Sequence, residues 1–192
     1  MKFLEQQPIP GWLYKEVEDY FIPLDFEPKT IADIGANIGA FSQRAHQRWP
    51  AAKFYCYEPM PFNVYHLRRN APAGAIIFSA AVRARSGIDD IFIGDMFVTS
   101  GFVQLGRQTQ NQIMVECIAA SSVPSCELVK IDTEGCEVEI LKNLDLTSTR
   151  AVLLEHHSRA DAETIKKFLN DRYALIGGDS GQPVGTLRFI GK

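Results

Sequence analysis

The stretch "TIADIGANIGAFS", residues 30–42, decides the fold. An apolar run ends on an acid, Asp33, and two glycines, Gly35 and Gly39, follow four residues apart. The pattern is that of a strand turning sharply into a helix. Gly35 lets the chain turn and a ligand approach the backbone, while Gly39 lets the helix start close to the strand. A helix begun in this way presents unpaired N–H groups and a partial positive charge, which favour an anionic group on a small molecule.

Outward from this loop, strand-like and helix-like stretches alternate, which favours a parallel sheet covered by helices on both faces. Residues 29–34 read as a first strand. Ile38, Phe41, Ala45 and Trp49 recur at helical spacing until Pro50 ends the helix. Residues 52–57 are a second strand, a helix runs from Pro61 to about Asn70, and 75–82 is a third strand. Residues 83–118 break the rhythm: "IDDIFIG", "MFVTSGFVQL" and "IMVECIA" are short strands of a β-rich insertion, whose polar tip at 106–112 is expected to be mobile. The alternation resumes with a strand at 127–132, a helix at 134–144 with Val138, Ile140 and Leu141 inward, and a buried strand at 150–156. An amphipathic helix at 161–172 carries Ile165, Phe168 and Leu169 on one face, and two strand-like runs around a Gly/Asp/Ser/Pro turn form a closing hairpin. The domain organisation read from this is an N-terminal helical segment, 1–28, and one domain, 29–192, with the insertion at about 83–118.

Composition sets the context. A chain of 192 residues with 46% hydrophobic content can bury one sizeable core. The net charge of -3 offers no reason to expect a nucleic-acid partner. Four cysteines form no CxxC pair, and three of them, in or beside apolar runs, read as buried thiols. The N-terminal residues lack the apolar stretch of a signal peptide and no segment reaches a membrane span, so a cytoplasmic, membrane-free protein of unspecified oligomeric state is expected.

The loop reads GxNxG, without the second glycine that lets a pyrophosphate approach, and without a GK[ST] triplet. Asp33 below it, and Asp132 and Glu134 at the end of the fourth strand, would repel a pyrophosphate. They suit a cofactor with an ammonium and a sulfonium centre, whose carboxylate goes to the helix N-terminus. Glu58 closes the second strand 19 residues after Gly39, where an acid chelates the ribose hydroxyls of an adenosine. Pro59 and Pro61 pin the chain so that its carboxylate faces the cleft.

"DIGANIGAFS", "YEPMPFNVYHLRRN", "AV" at 81–82 followed by Gly87, "ELVKIDTEGCEVEIL" and "LLEHH" resemble, in order and spacing, the FkbM-type S-adenosylmethionine-dependent methyltransferases. The resemblance covers about residues 28–158. It implies a class I, Rossmann-like α/β fold: a mostly parallel seven-stranded sheet ending in an antiparallel hairpin. The implied cofactor is S-adenosyl-L-methionine, and the implied reaction is O-methylation of a hydroxyl on a small-molecule or glycan acceptor, a sugar or secondary metabolite. Carried over by position, Asp33, Gly35, Asn37 and Gly39 go to the methionine end, Glu58 to the ribose, and Ala80, Ala81 and Val82 to the adenine wall. Asp132, Glu134 and Glu137 form the "DTEGCE" turn, and Glu155 and His157 the "E-x-H" of the fifth strand. Two features depart from the family: "CIAAS" at 117–121 carries no acid, and Arg83-Ala84-Arg85 stands where an acid often follows "AV". A non-catalytic S-adenosylmethionine-binding module is the alternative reading.

Methyl transfer to oxygen needs alignment and a base. The catalytic candidates are His157, Glu155, Asp132 and Glu134, at the carboxyl ends of two strands where ligands bind in open α/β sheets. His157 is the favoured base, with Glu155 fixing its tautomer and His156 pointing away. No dedicated metal cluster stands out, so metal independence is expected. A dehydrogenase is disfavoured by the loop, and base N-methylation by "DTEG" in place of an Asn/Asp-Pro-Pro-aromatic turn.

Overall fold

The structure, a computed structural model, describes residues 9–94, 100–103, 108–178 and 181–192. Its elements in chain order are α1 (Gly11–Glu18), β1 (Thr30–Ile34), α2 (Ala40–Arg48), β2 (Lys53–Tyr57), α3 (Pro61–Asn70), β3 (Ile76–Phe78), β4 (Ala81–Arg83), β5 (Gly87–Gly94), β6 (Gln108–Ala119), β7 (Leu128–Ile131), α4 (Glu137–Asn143), β8 (Ala151–His156), α5 (Arg159–Leu169), β9 (Tyr173–Gly177) and β10 (Gly185–Gly191). Seven strands form one sheet in the order β3-β2-β1-β7-β8-β10-β9. The first five run parallel, and β10 pairs antiparallel with both β8 and β9. The chain order reverses between β1 and β7, and an open sheet carries its ligand crevice at such a switch point, beyond the carboxyl ends of the strands.

The central strands are apolar on both faces because helices cover both. Ile31, Leu128, Ala151 and Leu153 pack with Leu13 and Val17 of α1 and Phe41 and Ala45 of α2. Ala32, Ile34, Val129, Ile131, Val152 and Leu154 pack against Ile140 and Leu141 of α4 and Ile165 and Leu169 of α5. Burying each of these larger side chains contributes about 1.5–3 kcal/mol. The alternation also sets the chemistry. Asp33 and Lys130 share the parity of Ile31 and Leu128, and are opposite each other in the β1–β7 register.

Several boundaries differ from the sequence expectation. The run 75–82 is two strands: β3 closes the edge of the main sheet, and the chain then bends at Ser79 and Ala80 so that β4 pairs parallel with β6. Uniform apolarity hides this break, although β3 is a part-exposed edge and β4 is largely buried. With β5, β4 and β6 form a second, three-stranded sheet in the order β4-β6-β5. Most of "MFVTSGFVQL" lies outside the described residues; within it Gly101 makes an isolated bridge to Phe92. Of the polar tip, Gln108–Gln112 opens β6, and 106–107 lie outside the described residues. Helix α4 begins three residues late, at Glu137, because Glu134 (φ 55°) and Gly135 (φ 108°) are in left-handed backbone. Helix α5 begins at Arg159, where Ser158 Oγ accepts the N–H of Asp161 at 3.0 Å. Its buried stripe is Ala162, Ile165 and Leu169, and Phe168 faces solvent. In the described part of the N-terminal segment, helix is confined to α1. No helix among the described residues is long and apolar enough to cross a membrane.

Gly35 has φ 75°, and a Cβ there would meet the carbonyl oxygen of Asp132 at 1.7 Å. The glycine is therefore required by the close passage of the β1 and β7 ends, in addition to any approach of a ligand. Gly35→Ala should destabilise the fold by about 3 kcal/mol or more, combining left-handed strain with overpacking. Gly74→Ala, also at positive φ (82°) but with open space around it, should cost about 1–2 kcal/mol. Urea denaturation of the two variants measures the difference.

Candidate active site

One pocket opens at the carboxyl ends of β1, β2, β7 and β8, roofed by α1 and the chain that follows it. The loop after β1 forms its floor. Gly35 and Ala36 donate their N–H groups to the carbonyl of Tyr57 at 3.0 and 2.9 Å, tying the loop to the end of β2. Asn37 adopts φ 52°, which aims its N–H at Glu58 Oε2, 2.9 Å away. The other oxygen of Glu58 accepts from Met60 N–H at 2.9 Å and Asn63 Nδ2 at 3.2 Å. Glu58 is thus a clamped carboxylate on the pocket wall, with an acceptor site left on Oε2 for a ribose hydroxyl. Burial pushes its pKa up to about 7, and the donors from Met60, Asn63 and Asn37 restrain the shift.

Behind the loop lies Lys130, on a strand otherwise made of Leu, Val and Ile. Its Nζ is 3.3 Å from Asp33 Oδ1, 3.5 Å from Asp132 Oδ2 and 2.7 Å from the carbonyl oxygen of Gly35. Burial opposes its charge, but the combined pull of Asp132 and Asp33 outweighs this and holds its pKa above the ordinary lysine value. Asp33 is fully buried, accepts from Ser42 Oγ at 2.6 Å, and is not on the pocket wall. Its role is to hold the loop from below. A direct contact with the methionine end, as the resemblance implies, does not fit that placement. Lys130 was not among the candidates; a single ammonium within an apolar strand was the available signal.

The "DTEG" turn follows β7. Buried Glu137 staples it: Oε1 accepts the N–H groups of Thr133 and Gly135 at 2.8 and 3.1 Å and the Thr133 hydroxyl at 3.2 Å. The turn puts Glu134 in left-handed backbone, and such strain collects at functional sites. His157, with 7% of its side chain exposed, projects onto this turn. Its Nε2 lies 3.2 Å from Glu134 Oε2 and 3.4 Å from Glu155 Oε2, and its Nδ1 3.5 Å from Glu137 Oε1. Burial opposes its charge, yet the hydrogen bonds and charges of Glu134 and Glu137 push its pKa up to about 11. Glu155 is pushed up to about 9, first by burial and then by Asp132, to which it is hydrogen-bonded. His157 thus stands among three carboxylates that favour its protonated form, so the role of free base suggested by the sequence requires loss of that proton. His156 faces the opposite side of β8, where Nδ1 meets the carbonyl of Pro183 at 3.2 Å. Tyr20 closes the roof with its ring edge-on to Phe41 and a hydrogen bond to Asp132, and burial raises its pKa well above the ordinary tyrosine value.

Of the sequence candidates, Gly35, Asn37, Glu58, Ala81, Val82, Asp132, Glu134, Glu155 and His157 line this pocket together. Gly39 and Ala80 are not on the wall: Gly39 caps α2 at φ 95°, and Ala80 lies in the bend between β3 and β4. The second sheet reaches the pocket through Ala81 and Val82 of β4 and Ile91 of β5, with Phe102 beside them. Arg83 anchors it, pairing with Glu139 of α4 at 3.1 Å and Asp89 at 2.9 Å and covering the Phe102 ring. The arginine that replaces the family's acid is therefore a brace between the sheet and α4.

The sheet order, the reversing antiparallel end and the pocket at the switch point define a class I methyltransferase fold. Residues 33–174 match the methyltransferase FkbM domain, and the chain belongs to that family. It is 27% identical over 154 residues to the hexuronic acid methyltransferase AglP of Haloferax volcanii, covering 76% of this chain and 63% of that protein. The chain thus spans under two thirds of that relative's length. Among solved structures, a putative RNA methyltransferase of Pyrococcus horikoshii is similar at TM-score 0.55 and 16% identity, over 100% of this chain and 90% of that one. The plantazolicin methyltransferase BpumL, solved with a pentazolic desmethylPZN analog and SAH, is similar at TM-score 0.53 and 10% identity, over 94% and 84% of the two chains.

Removing the ammonium leaves the buried carboxylate of Asp33 without its cation, beside Asp132 on the pocket wall. Lys130→Met should lower stability by about 3–5 kcal/mol, the scale of breaking a buried pair from one side. The double variant Lys130→Met/Asp33→Asn should recover part of that loss. Urea unfolding of the two variants reads both effects.

Proposed function

We propose that this chain is an S-adenosylmethionine-dependent methyltransferase that methylates a hydroxyl of a sugar or related polyol. The observation that carries the reading is the pairing of two sites in one pocket: a clamped carboxylate, Glu58, at the end of β2, and a His/carboxylate group at the ends of β7 and β8. The donor set fits the cofactor. Glu58 is a buried acceptor suited to a ribose hydroxyl, Ala81 and Val82 offer an apolar wall to an adenine, and Asp132 supplies negative charge to a cationic centre. When bound, S-adenosylmethionine supplies an electrophilic methyl on a sulfonium, whose sulfur keeps the C–S electron pair and becomes a neutral thioether.

The residues of this chain do the rest. Glu134, Glu155 and His157 position the acceptor oxygen so that it forms the new C–O bond in line with the bond that breaks, and such alignment is worth roughly 7–11 kcal/mol. The hydroxyl proton goes to Glu134, a carboxylate on the same wall. Trp12, 46% exposed at the pocket roof, gives a sugar ring an aromatic face to stack on. The name of the Haloferax relative, a hexuronic acid methyltransferase, supports a sugar acceptor.

Formation of S-adenosylhomocysteine with a panel of glycosides tests the reading. Turnover with hydroxylated sugars is expected; cofactor binding without turnover on any acceptor would favour a non-catalytic binding module instead. His157→Ala should lower kcat by about 10²-fold or more with cofactor affinity intact, whereas His156→Ala should leave kcat within about threefold. Equal effects would remove His157 from the site. Glu58 gives a second test with a definite sign. Its acid form predominates below about 7, and the ionised form is the better acceptor for a hydroxyl. Affinity for S-adenosylhomocysteine, measured by calorimetry, should rise as pH passes upward through about 7, and Glu58→Gln should flatten that rise.

A further inference from the structure

At the ends of β7 and β8, Asp132, Glu134, Glu155 and His157 face one pocket. Lys130 is committed to Asp33, Asp132 and the Gly35 carbonyl, and does not serve Glu134 or Glu155. What remains is a group of three potential ligands, Glu134, Glu155 and His157, with one ligand atom of each within 4.8 Å of the others. A first-row divalent ion holds nitrogen and carboxylate oxygen at about 2.0–2.2 Å, which sets neighbouring ligand atoms roughly 3–3.5 Å apart. The two distances from His157 Nε2, 3.2 and 3.4 Å, fall in that range.

A second observation concerns the far side of the ring. The His157 side chain is more than nine-tenths buried, and its Nδ1 is enclosed without a hydrogen bond of normal geometry. That atom points to Glu137 Oε1, 3.5 Å away, and Glu137 is itself fixed by the N–H groups of Thr133 and Gly135. A histidine that binds a metal through one nitrogen is oriented in this way through the other, by a carboxylate behind it. Glu155 is likewise backed by Asp132, and Asp132 by Tyr20.

We propose that Glu134, Glu155 and His157 form a site for one first-row divalent cation, open towards the cofactor pocket, where the acceptor oxygen is a further ligand. One nitrogen with two carboxylates suits manganese, iron or zinc better than magnesium. The cation orients the acceptor and weakens its O–H bond. The role, though not the binding site, rests on the methyl-transfer reading above. This reverses the metal independence expected from the sequence, where three ligands on two separate segments gave no cluster spacing.

The test is a manganese titration of the full chain, stripped with EDTA and desalted, followed by the electron paramagnetic resonance signal of free Mn²⁺. One Mn²⁺ per chain is expected. Binding should be at least tenfold weaker in Glu134→Gln and in Glu155→Gln, and unchanged in Glu116→Gln on the outer strand β6. Thermal melting and calorimetric binding of S-adenosylhomocysteine check that the isosteric variants stay folded. Absence of stoichiometric Mn²⁺, or equal binding in all variants, overturns the site. Should Mn²⁺ bind as expected while no acceptor is methylated, the cation site stands and the methyl-transfer reading fails. Turnover undiminished in EDTA, without Mn²⁺ binding, does the reverse.

Discussion

The structure depends on one buried ammonium. Lys130 sits between Asp33 and Asp132 at the point where β1 and β7 diverge, within reach of both carboxylates and of the Gly35 carbonyl. Without it, buried Asp33 and the partly exposed Asp132 would repel each other at neighbouring strand ends. With it, the strands stay in register to their last residues. The loop after β1 is drawn down on the end of β7, so close that no side chain fits at position 35. The same ammonium lies under the aromatic ring of Tyr20, linking the N-terminal segment to the sheet.

From that knot the pocket follows by short steps. The loop rests on Tyr57 through two backbone hydrogen bonds, which places Asn37 to donate to Glu58. On the other side, the alternation of β8 sends Glu155 and His157 to the Lys130 face and His156 to the opposite one. The turn stapled by Glu137 then brings Glu134 against His157. The second sheet adds a wall, held to α4 by Arg83. A family domain that marks residues 33–174 covers every one of these groups except α1 and Tyr20.

Much of this was legible in the sequence. The strand–loop–helix at 30–42, the acid 19 residues after Gly39 and the alternation of apolar runs each report a local rule, and the structure keeps all three. His157 was separable from His156 because strand parity is local as well. What escaped reading is what depends on neighbours in space. Asp33 looked like a ligand contact because its cationic partner lies on a strand far along the chain. The run 75–82 hid a change of sheet because hydrophobicity does not record which sheet a strand joins. The helix after "DTEG" was started too early because the left-handed backbone at Glu134, a non-glycine residue, leaves no mark in composition.

The central claim is that one pocket holds an adenosine at Glu58 and presents its reactive end to the Glu134–Glu155–His157 group. A crystal structure of the chain with S-adenosylhomocysteine tests it most directly. The account predicts the ribose at the Glu58 carboxylate with a hydroxyl hydrogen-bonded to Oε2, the adenine against Ala81 and Val82, and the sulfur turned towards Glu155 and His157. An adenosine bound away from Glu58, or a sulfur facing the opposite wall, would contradict it.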